Sequence, residues 1–80
     1  MITAYIEAAM RHAKYEYLEE DGVYYAEIPE LPGVWASTPQ REGLEAELRE
    51  ALEGWIALGL RLNHHIPEID GIGIAFETVR

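Results

Sequence analysis

Two prolines set three residues apart at the end of a strand-like run constrain this chain more than any other feature: Tyr24-Tyr25-Ala26-Glu27-Ile28-Pro29-Glu30-Leu31-Pro32-Gly33-Val34-Trp35. Neither proline carries a backbone donor, so Pro29 to Gly33 cannot continue a central strand, while Gly33 accepts the positive φ that reverses a chain. The run reads as a strand, a tight loop and a short third strand from Val34 to Ser37. Alternation along that third strand sets Trp35 on the opposite side of the sheet from Val34 and Ala36.

Upstream, Lys14 to Glu20 and Val23 to Ile28 are rich in tyrosine and β-branched residues, and Asp21-Gly22 between them suits a two-residue type I′ turn. That turn predicts a hairpin pairing Tyr17 with Ala26, Tyr15 with Ile28 and Glu19 with Tyr24 on an inward face. Leu18 with Tyr25 and Glu16 with Glu27 then lie on an outward face. Glu16 opposite Glu27 is a like-charge pair that a cationic partner group would relieve. Core packing is the plainer expectation for Trp35 and Tyr15, and Tyr25 is open to either role.

Helical spacing appears twice. Thr3 to His12 carries Ile6, Ala9, Met10 and Ala13, with Thr3 as N-cap, and predicts a short, weakly anchored helix. From about Gln40 to Asn63, opened by Thr38 and Pro39, a stripe of Leu44, Leu48, Ala51, Leu52, Trp55, Leu58, Gly59 and Leu62 predicts a long helix lying over the sheet. Ile56 and Leu60 fall on an adjacent stripe, wider than one sheet face requires. Past His64-His65 and an extended Ile66-Pro67-Glu68, Gly71 to Arg80 predicts a closing strand with Ile72, Ile74 and Phe76 on one side, whose edge invites pairing with another chain. Ile56, Leu60, Ile72, Ile74 and Phe76 are therefore the expected surface between copies of a homodimer or higher homo-oligomer.

The predicted fold is α+β in the order α-β-β-β-α-β: an antiparallel sheet of three to four strands packed by one long helix, with a short helix in front. Eighty residues suit one domain over 1–80, and so short a chain hides only about 60% of the surface its unfolded form exposes, which makes association a natural supplement. With no cysteine, neither a disulfide framework nor a thiolate metal site supplies it. No apolar run reaches the roughly 18 residues that span a bilayer, so a cytoplasmic protein is the expectation.

Six basic against fifteen acidic residues give a formal charge of -9, which repels phosphate backbones and favours a basic protein partner over nucleic acid. Catalytic signals are weak. His64, His65 and Glu68 have ligand types suited to zinc but lack the spacing that completes a site, and histidines at a helix C-terminus are favoured by its dipole. His12 has no partner nearby in sequence. Glu42, Glu45, Arg49 and Glu53 share a solvated helix face with ordinary ion-pair spacing. No glycine-flanked nucleophile or phosphate-cradling loop is present, and an enzyme is not expected, nor a cofactor or metal.

The aromatic strand, the Ile-Pro-Glu-Leu-Pro-Gly-Val loop and the glutamate-rich helix ending before Ile66-Pro67 resemble the core motif of HicB-like antitoxins, over most of the chain. Gln40-Arg41-Glu42-Gly43 departs from that family, whose helix usually opens with a threonine or serine followed by Leu-Glu-Glu-Ala. The resemblance implies a truncated ribonuclease-H-like domain without the metal-binding carboxylates of that fold. It also implies an antitoxin that blocks a small basic HicA-type mRNA-cleaving toxin and itself cleaves nothing. Many relatives add a DNA-binding segment, and none is expected here. The residues expected to meet the partner are Glu16, Tyr25, Glu27, Glu30, Leu31 and Trp35. A stand-alone interaction module without a toxin is the first alternative, and a metal-dependent hydrolase using His64, His65 and Glu68 the second.

Overall fold

The computed structural model describes residues 2–74. In chain order they form α1 (Ile2–Arg11), β1 (Lys14–Leu18), β2 (Val23–Glu27), β3 (Trp35–Thr38) and α2 (Leu44–Arg61). The three strands make one antiparallel sheet in the order β1-β2-β3, as the α+β expectation requires. Of the expected closing strand, Gly71 to Ile74 do not join this sheet, and positions 75–80, including Phe76, lie outside the described residues.

The double-proline loop resolves into two consecutive turns. Leu31 N donates to Ile28 O at 2.9 Å and Val34 N to Leu31 O at 3.0 Å, so each turn has proline at its second position. Gly33, at φ 100°, supplies the left-handed residue that a Pro-Gly turn of type II demands. Between the turns the Leu31 side chain drops fully into the core.

The hairpin register differs from the sequence expectation by two residues. Tyr15 pairs with Ala26, Glu16 with Tyr25, Tyr17 with Tyr24, and Lys14 with Glu27. The connection is a four-residue loop, Glu19 to Gly22, in which Leu18 O accepts from both Asp21 N and Gly22 N. A shift of two preserves which side chains share a face. It leaves Glu19 and Glu20 in solvent and brings the Tyr17 and Tyr24 rings to 4.7 Å, a contact worth about 0.5–1.5 kcal/mol. The Glu16–Glu27 opposition therefore does not exist. The two-residue turn occurs at the chain's second Asp-Gly instead: Asp70 and Gly71 both have positive φ, and Ile69 and Ile72 exchange hydrogen bonds of 3.0 and 2.9 Å.

Helix α2 begins at Leu44, not Gln40, because Gly43 sits at φ 85° and cannot be helical. Glu45 and Glu47 then occupy the first turn, where the helix dipole favours them. The buried line is Leu44, Leu48, Leu52, Ile56 and Gly59. Steps of four advance about 40° around a helix, so this line drifts away from Leu58 and Leu62, which are half-exposed at 53% and 54%. The expected main stripe holds at Leu44, Leu48, Leu52 and Gly59, but in the C-terminal half Ile56 joins the core while Leu58 and Leu62 face out. At the C-terminus Asn63 takes a left-handed conformation, with His64 N bonded to Gly59 O and Asn63 N to Leu60 O. This backbone motif caps the helix.

The core lies between α2 and the inner sheet face, where Ala26, Ile28, Val34 and Ala36 meet Leu44, Leu48, Leu52 and Ile56. Helix α1 closes one end with Tyr5, Ile6, Ala8 and Ala9. It is anchored more firmly than its spacing suggested, because fully buried Tyr5 donates its Oη hydrogen bond to Pro67 O at 2.6 Å. Helix α2 contacts β2 and β3 but not β1. A helix is about 10 Å across and strands are about 4.8 Å apart, so one helix covers two strands and the third overhangs. Tyr15 and Tyr17 on that overhang stay half-exposed, which corrects the core assignment of Tyr15.

Candidate functional site

The outer face of the sheet gathers most of the residues expected to meet a partner. Strand β1 contributes Lys14 and Glu16, β2 contributes Tyr25 and Glu27, and β3 contributes Trp35 and Ser37, all by the alternation that sends their neighbours inward. Glu16 is paired with Tyr25 across one ladder and Glu27 with Trp35 across the other. Tyr25 and Trp35 are diagonal neighbours whose rings lie 6.1 Å apart at 25°, close to parallel. Trp35 is 53% exposed, so the expected core role for it is corrected: among the described residues no helix lies over the side of the sheet it occupies.

Tyr25 Oη donates to Glu27 Oε1 at 2.9 Å. That hydrogen bond to the carboxylate, aided by partial burial, raises the phenol above its usual pKa and keeps it a donor. Beside the rings, Pro29, Pro32 and Gly33 help wall a depression of about 290 Å³ that Tyr25, Glu27 and Trp35 also line. Trp55 holds the loop from the helix side, with its indole less than 4 Å from the position a Cβ on Gly33 would take.

Two of the six expected contact residues lie elsewhere. Leu31 is completely buried and cannot be touched by a partner, so its assignment is corrected: two turns aim it inward. Glu30 is exposed, but it is engaged by His12, whose Nδ1 lies 2.8 Å from Glu30 Oε2 and whose Nε2 lies 2.9 Å from Asp70 Oδ1. Arg11 approaches the same Asp70 at 3.7 Å. His12 therefore ties the end of α1 to the proline loop and to the Asp70-Gly71 turn. Sequence spacing hid this because its partners are 18 and 58 residues away.

The hydrogen bonds to Glu30 and then Asp70 raise the His12 pKa above its ordinary value, and the bond from His12 lowers that of Glu30. A raised histidine contributes stability that is complete below its unfolded pKa of about 6.5 and is lost as pH climbs through the folded value. A lowered carboxylate contributes above its unfolded pKa of about 4.3 and loses that contribution as pH falls. Thermal melting should therefore show a wild-type advantage over His12→Gln that is largest near pH 5–6 and shrinks toward pH 8.5. An advantage that grows with pH would mean the imidazole is held neutral between the two acids.

Among the expected oligomer residues, Ile56 is in the core, and Leu60, Ile72 and Ile74 are partly buried against it. The assignment of Ile56 is thereby corrected, its place on the exposed surface being taken by Leu58 and Leu62. His64, His65 and Glu68 line a shared depression of about 310 Å³ near Ile66 and Gly73. Among the described residues no three His, Cys, Asp or Glu side chains are grouped so as to hold a metal ion. No helix described is long and apolar enough to cross a membrane.

Residues 4–67 match the family described as UPF0150-like. The chain belongs to that family. The match takes in the whole outer-face set and both His12 and Glu30, and stops short of Asp70. Among solved structures, TTHA0281 from Thermus thermophilus is similar to this UPF0150-like chain, with 38% identity, a TM-score of 0.87, and coverage of 96% of this chain and 95% of that one. No curated protein matches the chain significantly.

Proposed function

We propose that this UPF0150-like protein is an antitoxin-like binding protein that neutralises a small basic, HicA-type mRNA-cleaving toxin by covering its RNA-binding surface. The observation that carries this reading is the nearly parallel pair of exposed Trp35 and half-buried Tyr25, with Glu16 and Glu27 beside it, on a face that α2 leaves uncovered. Aromatic rings supply desolvated contact area and the carboxylates supply the charge that a substrate phosphate would otherwise bring. The formal charge of -9 draws a cationic protein in and holds RNA off. The protein acts by stoichiometric occlusion, without catalysing a reaction.

The reading includes self-association in the cytoplasm, for which exposed Leu58 and Leu62 offer an apolar patch on α2. The alternative is an interaction module with no toxin. The deciding experiment combines the purified chain with the short basic protein encoded by a neighbouring reading frame, and follows cleavage of a defined mRNA. Cleavage that stops near equimolar ratio supports the antitoxin role. Undiminished cleavage at a tenfold excess of this protein rejects it and leaves the stand-alone module.

A further inference from the structure

We propose that the outer sheet face is an arginine-reading site, in which the rings of Trp35 and Tyr25 take the flat face of a guanidinium while Glu16 and Glu27 accept its N–H groups. The proposal rests on the reading of this face as a docking surface and adds the side chain that the surface recognises.

Four features converge on that ligand. Trp35 is 53% exposed, and tryptophan is the strongest of the aromatic faces toward a cation. The Trp35 ring is stacked nearly parallel to that of Tyr25, at 6.1 Å and 25°, which makes an aromatic plate whose open face, on Trp35, suits a planar group better than a compact one. Glu27 uses one carboxylate oxygen to accept from Tyr25, which orients the group and leaves its other oxygen available for a fork-shaped donor. The depression of about 290 Å³ bounded by Pro29, Pro32 and Gly33 beside the plate gives the aliphatic stem of an arginine an apolar wall to lie along.

The charge on the face is also incomplete. Lys14 stands opposite Glu27 in register, yet among the described residues it forms no ion pair, and Glu16 has no cation across from it. Among the described residues, then, Lys14 shares the face but neither Glu16 nor Glu27 is ion-paired, and both carboxylates flank the aromatic plate with their charge unmatched by a direct contact. A lysine ammonium would answer the charge but, being compact and strongly hydrated, would not stack; an aliphatic side chain would cover the plate but leave the carboxylates unanswered. Arginine does both.

The test uses the full chain, labelled so that the two indole N–H groups, Trp35 and Trp55, give separate NMR signals. It is titrated with capped Gly-Arg-Gly and Gly-Lys-Gly peptides. The Trp35 signal should move with the arginine peptide at concentrations where the lysine peptide leaves it in place, and Glu27→Gln should weaken the response by about two- to fivefold. Equal shifts with both peptides, no shift with arginine, or a response confined to Trp55 would each overturn the site. If the arginine peptide fails while the basic partner is still captured, the docking surface stands and its arginine specificity falls. If arginine is read but no basic partner is inhibited, the site stands and the antitoxin role falls.

Discussion

Leu31→Ala should destabilise the isolated protein by about 2–5 kcal/mol, the range for truncating a buried leucine to leave a cavity. A domain of 80 residues has a total stability of only about 4–12 kcal/mol, so this one change removes a large share of it. The size follows from where the side chain sits. Leu31 is fully buried between two proline turns, and its own N–H and C=O close both of them. The loop cannot collapse inward to fill the hole, because Pro29 and Pro32 fix φ on either side and Trp55 lies against Gly33. Urea titration of the free protein reads the effect as a lower midpoint at unchanged slope. An unshifted midpoint would return Leu31 to the surface role suggested by its place in the motif.

The same loop shows why some of the architecture was legible and some was not. Proline and glycine act through their own backbone geometry, so the turn between β2 and β3 could be read from five consecutive residues. The hairpin turn could not, because Asp-Gly satisfies a two-residue turn locally while the ladder is decided by which cross-strand rings meet. Tyr17 against Tyr24 outweighs the local preference at Asp21-Gly22, and the turn type appears at Asp70-Gly71, where no ladder competes. In α2 the period and the phase of the first three turns are legible at Leu44, Leu48 and Leu52, but not the phase of the last two. A stripe through Leu58 and Leu62 and one through Ile56 differ by a modest rotation, and only the position of the sheet chooses between them.

For the candidate site the limit was of another kind. Hairpin alternation puts Glu16, Tyr25 and Glu27 on one face from sequence, and alternation in the third strand sets Trp35 away from Val34 and Ala36; the β2–β3 register then brings Trp35 beside them. The inward and outward faces of the hairpin are legible from its pattern, but whether Trp35 packs in the core or stays open depends on where the helix lies, which alternation does not contain. The His12 cluster was invisible because it joins three segments through side chains instead of a repeating pattern. Its partners are ordinary acids until the fold delivers them.

The two tryptophans should separate stability from binding. Trp35→Ala is expected to leave the urea midpoint of the free chain nearly unchanged, because the ring is exposed and its truncation opens no cavity. Against a basic protein partner, the same change should cost about 2 kcal/mol or more, roughly a 30-fold loss of affinity, as for an aromatic anchor at the centre of an interface. Trp55→Ala should do the reverse: Trp55 is partly buried against the core and packs on the loop at Gly33, so its loss weakens the fold and disturbs the outer face only through the loop it supports. Calorimetric titration of both variants, beside their denaturation curves, distinguishes the roles. A Trp35→Ala chain that binds with undiminished affinity would remove the aromatic plate from the interface, and with it the argument that this uncovered side of the sheet is where a partner sits.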